Sequence, residues 1–255
     1  MHTRPDGGAG LAGAGARRYV MSNRGDVFVW LILPYVSITV FVVGHWWRYR
    51  TDQFGWTTRS TQLLESRLLA YGSTLFHFGA LAVIGGHVVG ILIPESLTAR
   101  VGISESLYHH FSGVAGAIAG AVCLAGYAIL AFRRSSVHRV RVTTTVTDVI
   151  VFVLLGALIV IGEAMTLGYN VLGSGYDYRA TVGPWFRTLF YDPQPGLMAD
   201  APIAYQVHAA LPWLLYMVWP FSRLVHVWSI PLQYLGRPYI LYRSRYRARA
   251  GTHAG

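Results

Sequence analysis

Four histidines stand where a titratable ring is costly. His77 and His87 lie within the apolar run from residue 70 to 93, and His208 and His226 lie within a second long apolar segment. An ionisable side chain in hydrocarbon is rare unless it faces a bundle interior with a partner, so each is a functional-site candidate by position. Imidazole ligates iron, and two rings on each of two helices are the set needed for two bis-histidine haems stacked across a membrane. The competing reading is that the rings only pack, donating to carbonyls of neighbouring helices. A single histidine would favour packing. Two on each of two antiparallel helices, paired by depth, favour ligation, since each otherwise costs free energy to no common purpose.

The elements that must position these rings are membrane spans. Of the 255 residues, 53% are hydrophobic and only 13% charged, with a mean hydropathy of +0.40, against roughly 25% charged in soluble chains. Five apolar stretches of spanning length predict an all-α fold, an integral membrane five-helix bundle. The single cysteine, Cys123, lies in the third stretch. It can build neither a disulfide framework nor an iron-sulfur site by itself. The formal charge of +10 does not point to nucleic acid, because the arginines sit in loops and tails beside apolar spans, as the positive-inside rule requires.

In chain order, residues 1–25 are rich in Gly and Ala, lack periodicity and read as a disordered arm. The first span covers residues 27–47 and stops at Trp46, Trp47 and Tyr49, an interfacial aromatic belt. His45 there reads as an interfacial ring. The loop of residues 48–68 carries Arg48, Arg50, Arg59 and Arg67 and reads as cytoplasmic. The second span, residues 70–93, ends before Pro94, and the following exterior loop has only Arg100 as a base. The third, residues 111–132, has glycines at 113, 116, 120 and 126, a face for close packing or for a flat cofactor. Arg133, Arg134, Arg139 and Arg141 then make a dense cytoplasmic loop. The fourth span, residues 146–167, starts at Asp148 near the interface and has Glu163 near its far, wet end. A long polar exterior connection leads to the fifth, residues 203–228.

The proposed cytoplasmic segments hold fourteen arginines and the exterior loops three, giving an N-terminus outside and a cytoplasmic C-terminus. Residues 26–232 form the spanning domain, and residues 233–255 form a basic cytoplasmic tail. His77 and His226 then lie toward the cytoplasm, with His87 and His208 toward the exterior. Ten helical residues span about 15 Å and leave His77 and His87 roughly 80° apart, whereas eighteen span about 27 Å and keep His208 and His226 on one face. The unequal spacings require tilt or an unwound end. Arg223, nearly on the face of His226, suits an anionic haem propionate or serves as a lipid anchor. His109 and His110, beside Tyr108, read as interfacial rings within reach of a quinone.

At this point the motifs resemble a family. They are Gly44-His-Trp-Trp-Arg-Tyr49, Leu75-Phe-His-Phe-Gly79 with Gly86-His87, Arg141-Val-Thr-Thr-Thr145, and Pro220-Phe-Ser-Arg-Leu-Val-His-Val-Trp-Ser-Ile-Pro231. Together they are similar to the gamma subunit of membrane-bound respiratory nitrate reductase, a dihaem cytochrome b of the bacterial cell membrane, over residues 26–245. The resemblance implies two haem b, with His77 and His226 on the inner iron and His87 and His208 on the outer iron. It implies oxidation of menaquinol or ubiquinol beside the outer haem, and electron transfer to an iron-sulfur beta subunit. A molybdenum-containing alpha subunit then reduces nitrate, so nitrate catalysis is not in this chain. The family's lysine in the loop between the second and third spans has no counterpart, because the chain contains no lysine. The candidates for the quinol site are Gly86, His87, Arg100, Tyr108 and His109. Two alternatives stay open: a dihaem anchor of another quinone-linked reductase acting on sulfur compounds or heterodisulfides, and a haem-free anchor or transporter.

Overall fold

A computed structural model of the chain describes residues 24–52, 55–56, 60–173 and 175–229. The N-terminal arm through residue 23, Arg59 and the basic tail lie outside the described residues. Among the described residues every regular element is helical. Four helices are long and apolar enough to cross a membrane: α1 (Arg24–Thr51), α2 (Arg67–Leu92), α3 (Glu105–Ser136) and α4 (Val146–Val171). The fifth segment is different. Helix α5 (Ile203–Val218) has sixteen residues, about 24 Å of helix, and gives way to 3-10 turns at Trp219–Phe221 and Arg223–Ser229.

The break in that segment has a local cause. Pro220 cannot donate an N–H to the preceding turn, and Ser222 is extended at φ −113° and ψ −179°. The span expected over 203–228 is therefore a helix with an unwound end, one of the two arrangements that the unequal histidine spacings require. Several other boundaries move outward. Helix α1 runs past the aromatic belt to Thr51, so Arg48 belongs to a helix rather than to the loop, and α3 begins at Glu105 instead of residue 111. Ser104 starts α3 by accepting the Leu107 N–H at 3.3 Å. Helix α4 starts at a capping box. The Thr145 hydroxyl accepts the Asp148 N–H at 3.2 Å, and the Asp148 carboxylate accepts the Thr145 N–H at 3.0 Å.

Small residues set the helix contacts. Gly79 of α2 lies against the Cys123 backbone of α3, Gly126 lies against the Phe76 backbone, and Gly72 against Ile129 and Leu130. Gly113, Gly116 and Gly120 turn to α4, meeting Asn170, Thr166 and Glu163. The glycine stripe is thus a packing face, as lipid-embedded helices need. Helix α5 in turn packs on α4 and α1, so the helices touch in the order α2, α3, α4, α5, α1. Outward faces carry exposed Phe78, Phe111, Val146 and Val153, which suits contact with lipid chains.

The connection from 172 to 202, expected to be polar, contributes to a buried apolar cluster. Trp185, Leu189 and Met198 are fully buried there against Trp30, Tyr205 and Trp213. Pro34 has no N–H to give back to Trp30, and the Trp30 carbonyl accepts the Trp185 indole N–H at 3.0 Å. Polar residues hold the same connection down. Arg187 donates to the Ile91 carbonyl at 2.6 Å, and Arg179 donates to Glu105 at 2.8 Å while its guanidinium lies 4.0 Å from the Tyr108 ring centroid. These contacts cap the end of the bundle nearest His87.

Candidate functional site

The four histidines meet in two pairs across the space between α2 and the fifth segment. His77 and His226 have ring centroids 6.1 Å apart and planes at 74°, and His87 and His208 have centroids 6.0 Å apart and planes at 28°. Both separations fall within the range of ring contact, and they also suit a shared metal ion. An atom about 2 Å from a nitrogen of each ring would set the centroids roughly 6 Å apart, the span of two imidazoles on opposite sides of one metal ion.

Backbone carbonyls orient three of the rings. His77 Nδ1 donates to the Ser73 carbonyl at 2.7 Å, His87 Nδ1 to the Val83 carbonyl at 2.8 Å, and His226 Nδ1 to the Arg223 carbonyl at 2.7 Å. A carbonyl can only accept, so the proton sits on Nδ1 and Nε2 is the nitrogen that carries a lone pair suited to a metal. His208 Nδ1 is buried with no hydrogen-bond partner. His208 also packs against Gly162 of α4, where any side chain would strike its ring.

A cavity of about 460 Å³ surrounds the first pair and is lined by His77, His226, Ser73, Arg133, Arg134 and Arg223 among others. Asp148 organises its basic wall, lying 2.9 Å from Arg223 Nε and 3.4 Å from Arg134 Nη1. Its roof is the segment before α2. Arg133, 3% exposed, donates to the Glu65 carboxylate at 2.6 Å, to the Thr61 carbonyl at 2.9 Å and to the Glu65 carbonyl at 2.7 Å. Burial opposes ionisation of Glu65. The N–H groups of Leu68 and Leu69 and the Arg133 guanidinium outweigh it and hold the carboxyl below its ordinary value. Arg133, Arg134, Glu65 and Thr61 were not singled out as site residues from the sequence. The one available signal was Thr145-x-x-Asp148, which places Asp148 at a helix start and so beside the basic loop.

The second pair has open space beside it. A side-chain atom added at Gly85 or Gly86 would meet nothing within 4 Å. The other expected quinol-site residues have different surroundings, with the Tyr108 hydroxyl beside Gly90 of α2. Arg100 is exposed at the end of the short helix Glu95–Arg100. Tyr108 is buried in a different cluster, its hydroxyl 3.2 Å from that of Tyr178. Burial and that contact push the Tyr178 hydroxyl far above its ordinary value, so it stays protonated. His109 abuts Gly175, which adopts φ +83°, and His110 is exposed with Nδ1 3.3 Å from the Ser106 carbonyl. His45 bonds the Phe41 carbonyl at 2.7 Å and sits among Phe41, Trp56 and Trp228, apart from either pair. Glu163, expected to be wet, is 9% exposed with a buried oxygen lacking a partner, because α4 turns it toward Gly120.

Fold and site together define a membrane protein, helical throughout its described regular elements, with four histidines paired across the bundle. Comparison with known proteins specifies it further. Residues 26–245 match the family model described as nitrate reductase gamma subunit. The chain is 46% identical over 218 residues to the nitrate reductase gamma chain of Bacillus subtilis, covering 85% of this chain and 97% of that one. It is 32% identical over 222 residues to the respiratory nitrate reductase 2 gamma chain of Escherichia coli, covering 86% and 97%. It is also 50% identical over 223 residues to the nitrate reductase-like protein NarX of Mycobacterium tuberculosis, covering 87% of this chain but 34% of that one. The chain thus spans about a third of the length of that relative. It belongs to the nitrate reductase gamma subunit family.

Proposed function

We propose that the chain is the membrane anchor and quinol-oxidising dihaem b subunit of a respiratory nitrate reductase. The observation that carries this reading is the pairing of four histidines at 6.0 and 6.1 Å, two spacings at which each pair would be able to hold one iron. No group of three or more His, Cys, Asp or Glu side chains gathers as a metal site among the described residues. Two imidazoles alone are too few for a bare structural ion, but each pair would suffice to hold the iron of a haem.

In this reading His77 and His226 hold the inner haem, and His87 and His208 the outer haem. Bound there, the two haems are one-electron carriers in series. The chain's residues do the rest. Carbonyls of Ser73, Val83 and Arg223 orient three rings through Nδ1, so that Nε2 is the ligating nitrogen, and Arg134 and Arg223 offer cations to the inner propionates while Asp148 holds both in place. The open flank at Gly85 and Gly86 admits a flat quinol beside His87. Gly86 and His87 remain the core of the quinol site, with Arg100 and His109 at its rim. Tyr108 is tied to Tyr178 and Arg179, so its part is to brace the rim.

Five crossings, with the N-terminus outside, put quinol oxidation and proton release at the exterior face. Electrons then leave from the cytoplasmic face to an iron-sulfur beta subunit and onward to a molybdenum-containing alpha subunit. The test is a dithionite-minus-oxidised spectrum with a pyridine haemochrome assay on the assembled, purified protein. Two b haems per chain are expected, and each His→Ala variant at 77, 87, 208 or 226 should lower the content. A folded, complete complex without haem overturns the reading and returns the rings to packing.

A further inference from the structure

Arg48 is the structural link between α1 and the unwound end of the fifth segment. It is 8% exposed, and its Nη1 donates to the carbonyls of Pro220 at 2.7 Å and Ser222 at 2.8 Å. Its Nη2 donates to the Gly55 carbonyl at 2.8 Å, and Asp52 lies 3.9 Å from its Nε. The two acceptors in the fifth segment flank the break. Trp219–Phe221 ends in the extended Ser222, and the 3-10 turns carrying His226 begin at Arg223. Pro220 is fully buried against Gly44, and Ser222 is 4% exposed, so neither carbonyl has ready access to water. A buried carbonyl without a donor is costly, and the break therefore depends on a donor brought from elsewhere in the fold.

The break matters because the two histidine spacings differ. A straight helix from His208 would carry His226 about 27 Å away, while the matching gap in α2 is about 15 Å. The chain must leave the helix axis between the two rings for both to meet partners on α2. It does so at residues 220–222, where Arg48 holds it.

We propose that Arg48 is the positioning residue for His226: by satisfying the Pro220 and Ser222 carbonyls it fixes the break that turns His226 onto His77. This rests on the dihaem reading above. The guanidinium suits the task because its planar fork reaches several carbonyls at once, which an ammonium cannot do in the same geometry.

The test uses the assembled wild-type complex, R48K, R48Q and H226A as the benchmark for loss of the inner ligand. Haem content, the two low-spin ferric signals in electron paramagnetic resonance, and both midpoint potentials are read in each. Expected is loss of the inner signal in R48Q, as in H226A, and a shifted inner midpoint in R48K, with the outer signal unchanged in R48K. If R48Q fails to assemble, R48K decides. Wild-type inner signal and midpoint in R48K, or equal loss of both haems in R48K, overturns the proposal, the second because it marks general destabilisation. A folded wild type without haem instead overturns the dihaem reading itself, so the two failures are told apart.

Discussion

The ring of His87 lies 6.0 Å from that of His208, centroid to centroid, with the planes 28° apart. That separation lies within the range of ring contact and also suits a shared metal ion between them. Removing either ring then has a specific consequence. His87→Ala should eliminate the outer haem and abolish quinol oxidation while leaving the inner haem spectrum in place. His226→Ala should eliminate the inner haem and block electron delivery to the partner. Haem-resolved redox titration with quinol-dependent nitrate reduction checks both. Quinol-driven turnover surviving both changes would sink the electron path.

Two glycines on one helix should respond in opposite ways. An added methyl at Gly79 would meet the Cys123 Cα at 2.6 Å, whereas at Gly86 it meets open space. Gly79→Ala should therefore destabilise by about 1–3 kcal/mol through forced separation of α2 and α3. Gly86→Ala should change stability by less than about 0.5 kcal/mol and still raise the quinol concentration needed for half-maximal activity, because it narrows the flank beside His87. Thermal unfolding in detergent and quinol titration separate the two effects.

Asp148→Asn should act on the inner site through charge. The carboxylate holds Arg134 and Arg223 and half of a capping box, and losing it leaves two guanidinium groups less neutralised beside the inner cavity. A more positive surrounding favours the reduced, more negative iron centre. The inner midpoint potential should rise, the outer should stay near its wild-type value, and the weakened cap should cost about 1 kcal/mol of stability. An unchanged or lower inner potential would remove Asp148 from the site.

The Arg133 and Glu65 contact predicts a pH response. Arg133→Ala strips donors from the Thr61 and Glu65 carbonyls and should cost roughly 2–3 kcal/mol. Glu65 is a carboxyl held below its ordinary value of 4.5. Its contribution is therefore complete above that value and is lost as pH falls through the lower folded-state value. Acid unfolding of wild type and Glu65→Gln should differ at neutral pH and converge in acid. Parallel curves throughout would show that the roof of the inner cavity owes nothing to this charge.

The sequence by itself determined what depends on residue type and local spacing. The four long apolar helices follow from runs such as residues 146–167, because the cost of exposing backbone in lipid allows little else there. The four histidines were legible as a set because a polar ring is costly in such runs, and Thr145-x-x-Asp148 signalled a helix start because its hydrogen bonds close within four residues. Tertiary structure decided what depends on residues distant in the chain. The unwound end after Val218 involves Pro220, which is visible in sequence, but also Arg48 from 172 positions earlier, which is not. Trp185 and Met198 looked like members of a polar connection until the fold set them on Trp30 and Tyr205. Glu163 looked wet because its depth was legible and its facing was not. Depth in a membrane is set by position along the chain, whereas facing, pairing and the angles between rings are set by which helices meet, and only their packing fixes that.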